Sequence, residues 1–263
     1  SEEARAALAA ADAVLGLVMA WREAQPDAAE IVIGVLSDHG HVTGRGKRSL
    51  ATDLRRAGFD AGEDAGRQVV VAPAAAPGLW LRRREDAAGV AAFLSAQPWA
   101  GPLLLRDPAL LPEGEGVPLA LLGSAHRRSA DIVLTFAGDP GPDRWGLAGT
   151  APFDAPDVPE GGGMHGGLHA AELASVLVFA GGPVRRGAVV RQAADLSDIM
   201  PTVLHLFGLA GPGMEGRPLL GALSAAEDAE PETERRPLPR GFVLEGLRSE
   251  TGRFYPSGLR RAT

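Results

Sequence analysis

Cysteine is absent from the 263 residues. That excludes disulfides, thiolate metal sites and cysteine nucleophiles, and leaves the compartment open. Lysine occurs once, at Lys47. Basic residues as a group are outnumbered, 26 Lys and Arg against 33 Asp and Glu, for a net charge of −7 and a pI near 5.4. No broad basic face for nucleic acid is expected on such a chain. No apolar run is read as reaching the ~18–20 residues of a membrane span, so none is expected. The sequence holds no GxSxG, no P-loop, no CxxC and no internal repeat. No signal peptide is visible. The chain opens at Ser1, without Met and directly on a helix start, so it reads as cut, and its localisation stays unassigned.

What is present is a globular composition, 45% hydrophobic and 22% charged, long enough for one large domain or two small ones. The 35 Gly and 21 Pro predict many loops. Residues 2–24 read as a helix, with Ser1 as N-cap, Glu2 and Glu3 in the first turn, and Leu8, Ala11, Leu15, Val18 and Trp21 at helical spacing. Residues 31–37 read as a strand apolar on both faces, the pattern of a parallel sheet covered by helices. Helix followed by buried strand is an α/β signature.

The middle of the chain is more variable. A helix over 47–57, a hairpin of 67–72 with 78–83 across "PAAAP", and a helix over 85–96 with Val90, Phe93 and Leu94 inward are expected. Short apolar pieces follow in "GPLLLRD" and "VPLALLG". The main sheet is expected to resume at 130–138 and 174–182. Between them lies a Gly, Pro and Asp-rich loop over about 139–168. A helix is read over 195–209, with Ser197 as N-cap, Pro201 tolerated in the first turn, Ile199, Val203, Leu206 and Phe207 inward, and Gly208 as its stop. From about 222 the chain reads as an acidic linker and a peripheral tail with little structure of its own.

Candidate chemistry begins at "IVIGVLSDHGHV", residues 31–42, where an apolar strand runs into Asp38, His39 and Gly40. Ligands gather beyond the carboxyl ends of strands in a parallel α/β sheet. A carboxylate and an imidazole there suit zinc or a similar divalent ion. The same dipeptide also suits a polar loop that caps a helix. The second cluster is "PEGGGMHGGLHAAE", residues 159–172. Three glycines before His165 and two after it cost backbone entropy, which makes sense if His165 must stand where side chains would obstruct an ion or substrate. A buried histidine satisfied by the backbone is the alternative. His169 reads as an early helix residue, because a His-x3-His pair needs a helix that the glycines oppose. His41 reads as an exposed loop residue that could orient a neighbour, His126 as polar surface, and His205 as a structural helix position. Asp195 and Asp198 suit a helix N-terminus. Arg127 and Arg128 read as solvated.

The order of these segments resembles a known family. "AADAVLGLVMAWRE", a strand closing in "SDHG", a variable lobe, "MHGG", "AGGPVRRG", "DLSDIMPTVLHLFGL" and "MEGRPLL" follow one another as in the C-terminal half of the alkaline phosphatase superfamily, in its type I phosphodiesterase/nucleotide pyrophosphatase branch. The resemblance covers roughly residues 5–221. It implies a largely parallel sheet sandwiched by helices, with 1–42 and 130–221 forming the C-terminal half of the core, 43–129 a small inserted α+β lobe, and 222–263 a linker and tail. It implies a phosphodiester or phosphoester hydrolase that works through a covalent Ser or Thr intermediate between two divalent ions, zinc in first place and manganese otherwise. Asp38 and His39 map onto ligands of one ion and His165 onto a ligand of the other. The family's first strand, its nucleophile and its Asp-x3-His pair have no counterpart here. The expected partners are therefore a small phosphorylated substrate and a missing N-terminal half, and this chain is expected to be inactive alone. A sulfatase, a phosphoglycerate-mutase-like relative and a non-catalytic binding module are the alternative readings.

Overall fold

The computed structural model describes residues 2–262. In chain order the elements begin with α1 (Glu2–Glu23), β1 (Ile33–Leu36), β2 (Val42–Lys47), α2 (Leu50–Arg56), β3 (Ala61–Gly62), β4 (Val69–Ala72), β5 (Gly78–Leu81) and α3 (Asp86–Ser95). They continue through β6 (Ala100–Leu105), β7 (Val117–Pro118), β8 (Ile132–Phe136), β9 (Asp139–Pro142), β10 (Ala148–Phe153), β11 (Gly163–Met164) and α4 (Ala170–Leu173). The chain closes with β12 (Leu177–Ala180), α5 (Ile199–Leu206), β13 (Glu232–Leu238), β14 (Phe242–Arg248) and β15 (Phe254–Arg261). It is a mixed α/β protein that divides into two compact units. One joins the residues up to Leu36 with Val176–Glu230, and the other joins Ser37–Ser175 with the residues from Pro231 onward.

The larger unit is built around a six-stranded sheet, order β3-β4-β5-β8-β6-β7. The hairpin of β4 and β5 forms as its sequence predicts, Val69 opposite Leu81 and Ala72 opposite Gly78. Helix α2 is capped by Ser49, whose hydroxyl accepts from the Thr52 amide. It and α3 bury Leu50, Leu54, Val90 and Leu94 against the sheet residues Val69, Leu79, Leu103, Ile132 and Leu134. These side chains are 1% exposed or less. Strand β8 pairs with β5 and β6, so 130–138 completes this lobe rather than resuming a separate main sheet.

A second sheet, order β11-β2-β10-β9, and a meander, order β13-β14-β15, belong to the same unit. The meander corrects the expected structureless tail. Phe242, Leu244 and Tyr255 alternate inward and are buried. Arg240, at φ 63, donates from its guanidinium to the carbonyls of Gln97, Ala100 and Gly101, which ties the turn before β14 to β6.

The sheet is not largely parallel. Only β2–β10, β3–β4 and β6–β7 pair in parallel among the described strands, and the remaining pairings are antiparallel. The strand expected to be buried on both faces, β1, pairs antiparallel with β12 in a two-stranded sheet and leaves Val35 and Leu36 exposed. No residue of β1 is buried, so its apolar run is not covered on both sides. In the same unit α1 is helical as read, yet buries none of its residues. It is also long and apolar enough by length and composition to cross a membrane, contrary to the expectation that no such segment exists, although a core helix or a signal sequence passes the same test. Helix α5 buries Pro201 and Thr202, while Phe207, expected inward, is 75% exposed. Gly208 ends it in the left-handed conformation, φ +66, as its position predicts.

Candidate metal centre

Strand β2 supplies the first part of the site. Val42 and Gly44 are buried, so the alternate positions His41, Thr43 and Arg45 share its other face. Strand β11 runs antiparallel to β2, with Met164 opposite Val42 and Gly163 opposite Thr43. One further step along this ladder sets His165 opposite His41. Two residues before His41, His39 falls on the same side.

The three rings meet as this register requires. His39 and His165 are stacked, centroids 3.7 Å apart and planes 11° from parallel. His41 stands edge-on to both, 5.0 Å from His39 and 5.3 Å from His165. One ligand nitrogen from each lies within 4.8 Å of the others. His39 is half-buried, and His41 and His165 are exposed. Asp38 flanks the group, with a carboxylate oxygen 3.4 Å from Nε2 of His39. Its side chain is 81% exposed.

Local packing explains the glycines. A Cβ on Gly40 would collide with the carbonyl oxygens of Ala171 and Ala174, so this glycine makes room for the end of α4 rather than for a ligand. The Gly40 amide donates to the Glu172 carbonyl at 2.9 Å. A Cβ on Gly163 would come within 3.2 Å of the His41 ring, so the small residue admits the imidazole. Glu172 anchors the loop after His165. It is 4% exposed and accepts from the amides of Gly167 at 2.9 Å and His169 at 3.0 Å. Burial pushes its carboxyl above the usual range, against the pull of those two hydrogen bonds.

Of the residues singled out in the sequence, Asp38, His39 and His165 lie together. His41, read as a loop residue, joins them; the signal that could have found it is the His-x-His spacing, which puts two side chains on one face of an extended segment. His169 stays apart as the N-cap of α4, its Nδ1 accepting from the Ala171 amide. His126 is exposed in a turn, where its Nδ1 accepts from the Arg128 amide. His205 is exposed on α5. Asp195 and Asp198 form a capping box ahead of α5, which accounts for both without a ligand.

The donor set fits one zinc-class ion. Catalytic zinc takes about three protein ligands and keeps a fourth position open, so two such ions would need about six. Three imidazoles and one carboxylate fall short of that.

A pocket of about 310 Å³ opens farther along the same face of β2, lined by Thr43, Arg45, Asp143, Arg144, Trp145 and Glu160, with others. Arg144 stacks on Trp145, 3.9 Å from the ring centroid. Both acids are engaged by the protein. Desolvation raises Asp143, but hydrogen bonds from the Thr43 hydroxyl and the amides of Leu147 and Trp145 outweigh it and hold the carboxyl below its ordinary value. The amides of Gly46 and Lys47 do the same for Glu160.

No protein-family model matches the sequence, and no curated protein matches it.

Proposed function

We propose that this chain carries part of the metal centre of a phosphodiester or phosphoester hydrolase of the alkaline phosphatase superfamily, in the type I phosphodiesterase/nucleotide pyrophosphatase branch. The observation that carries the reading is the meeting of Asp38 and His39 with His165, which lies 126 positions after His39 in the sequence. In this reading Asp38, His39 and His165 hold divalent cations, zinc in first place and manganese otherwise. A divalent ion there supplies charge to phosphoryl oxygens and lowers the pKa of a bound oxygen nucleophile. A second full ligand set and the Ser or Thr nucleophile would come from polypeptide outside these residues.

The chain's own groups have defined tasks. Gly163 leaves room for the His41 ring, and Gly40 lets the backbone approach α4. The pocket beside them supports an anionic organic substrate, with Arg45 and Arg144 as cations and Trp145 as an apolar plane.

The test is metal content and hydrolysis of a chromogenic phosphodiester, bis(p-nitrophenyl) phosphate, by the intact protein that contains this chain. Zinc-dependent turnover is expected, and His165→Ala is expected to remove it. Turnover that is unchanged in the variant overturns the assignment.

A further inference from the structure

We propose that His41 is a metal ligand, and that His39, His41 and His165 form a three-imidazole site for one zinc-class divalent cation that needs no residue beyond this chain. The proposal goes beyond the reading above: it shares His39 and His165 with it, but it places both on one ion, adds His41, and so departs from the division of ligands that the resemblance implies. There, His39 and His165 serve different ions and position 41 serves none.

The ladder carries the argument. The pairing ends with Met164 opposite Val42, so the next position on each strand brings His165 beside His41, and the His39 ring stacks on His165 and stands edge-on to His41. Cross-strand neighbours have Cβ atoms about 4.5–5.5 Å apart, a spacing that two imidazoles can close on one ion. The ligand nitrogens already lie within 4.8 Å of one another. Around a tetrahedral ion at Zn–N distances of about 2.0–2.1 Å they would stand about 3.4 Å apart. The stacked pair must turn toward each other to converge. That motion is a rotation about the imidazole χ2, a broad torsion with little cost.

A second observation is the hydrogen bond behind His39. Its Nδ1 lies 2.8 Å from the Gly40 carbonyl oxygen. With the proton on Nδ1 toward that carbonyl, Nε2 is the atom that would face an ion, in the place where the Asp38 carboxylate now stands 3.4 Å away. Metal-bound histidines are held by this kind of contact, which fixes tautomer and ring orientation. The donor set also decides the ion class. Imidazoles without thiolate or a carboxylate cage suit zinc, copper or nickel better than magnesium or calcium. With three nitrogens engaged, a fourth position stays open toward solvent, because His41 and His165 are exposed.

The test is a zinc titration of the purified chain in competition with a chromophoric chelator, together with the visible spectrum of the cobalt-substituted chain. One equivalent of zinc and a tetrahedral cobalt spectrum are expected. Since loss of even an outer hydrogen bond to a ligand costs about 10–100-fold in metal affinity, His41→Ala and His165→Ala are each expected to weaken zinc by at least about 100-fold. His126→Ala, a surface histidine outside the cluster, is expected to match the parent chain. Circular dichroism checks that the variants are folded, and His41→Gln keeps a polar side chain of similar size should the alanine variant fail. Zinc affinity unchanged in both His41 variants overturns the proposal. So does a larger loss in Asp38→Asn than in His41→Ala, which instead favours the division of ligands in the hydrolase reading. Zinc bound through His41 by a protein that does not hydrolyse the phosphodiester leaves this proposal standing and removes the hydrolase reading.

Discussion

The sheet β3-β4-β5-β8-β6-β7 and the pair β1–β12 are made from similar residues and end in opposite states. In the first, Val69, Leu79, Ile132 and Leu134 are fully buried under α2 and α3. In the second, Val35, Leu36 and Val178 are exposed, and in the same unit α1 leaves Leu8, Leu17, Met19 and Trp21 in solvent. Periodicity therefore makes an element, but only a second layer makes a core. Each apolar side chain that is removed from water contributes about 1.5–3 kcal/mol, and the smaller unit forgoes most of that.

The largest expected contrast is in hydrogen exchange. Amides open with free energies from about zero up to the global stability, which is about 5–15 kcal/mol for a domain. Amides of β4, β5 and β8 are expected near the upper limit, and those of β1 and β12 near the lower. Mass-spectrometric exchange should show slowing of at least about 1,000-fold in the first set relative to the second, the factor that about 4 kcal/mol represents. Equal protection in the two sets would break the comparison.

Single substitutions sharpen it. Ile132 is 0% exposed, and Ile132→Ala should cost about 2–5 kcal/mol through lost transfer energy and an unfilled cavity. Leu17 is 72% exposed, and Leu17→Ala should stay within about 0.5 kcal/mol of the parent. Urea denaturation midpoints read both. A large loss at Leu17 would mean that α1 is covered in solution.

The same contrast explains what was legible in the sequence. Helices α2 and α3 and the β4–β5 hairpin could be read directly, because their apolar positions repeat locally and their partners lie nearby, whereas β6 was legible only as a short apolar piece. Segments 31–37 and 174–182 were recognisable as strands, but their direction and coverage were not. An apolar run reports affinity for a covering layer, not whether the layer is there. Residues 232–261 were missed because Pro237, Pro239 and many Arg and Glu residues mask a period-2 pattern carried by Phe242, Leu244 and Tyr255. At the site, Asp38, His39 and His165 stood out by residue type, whereas His41 did not. Its place beside His39 was open to reading from the His-x-His spacing, whereas its place near His165 depends on the register of β2 with β11, a pairing across about 120 residues that no local pattern encodes.

The smallest expected effect is in pH dependence, where one carboxylate from each unit pulls in the opposite direction. Asp154, in the larger unit, is 4% exposed and accepts from the Leu50 amide at 2.8 Å. Burial raises its carboxyl above the ordinary value, with Glu63 and Asp53 adding to the rise and the Leu50 amide and Arg48 opposing it. Asp228, in the smaller unit, is held below the ordinary value, chiefly by the hydrogen bond from Arg185 and then by the Arg191 amide. A raised acid binds its proton more tightly when folded, so its contribution is lost as pH rises from the unfolded value through the raised one. A lowered acid binds its proton less tightly when folded, so its contribution is present above the unfolded value and lost as pH falls through the lowered one. Urea midpoints measured from acid to neutral pH should therefore respond differently to two variants. Asp154→Asn, which keeps an acceptor for Leu50, should flatten the decline on the rising side. Asp228→Asn should flatten the decline on the acid side. The Asp228 effect is the smaller of the two, because its partner Arg185 retains contact with solvent and water screens the pair. If both variants flattened the same side, the carboxylates would share one environment, and the difference in burial between the two units would have no electrostatic counterpart.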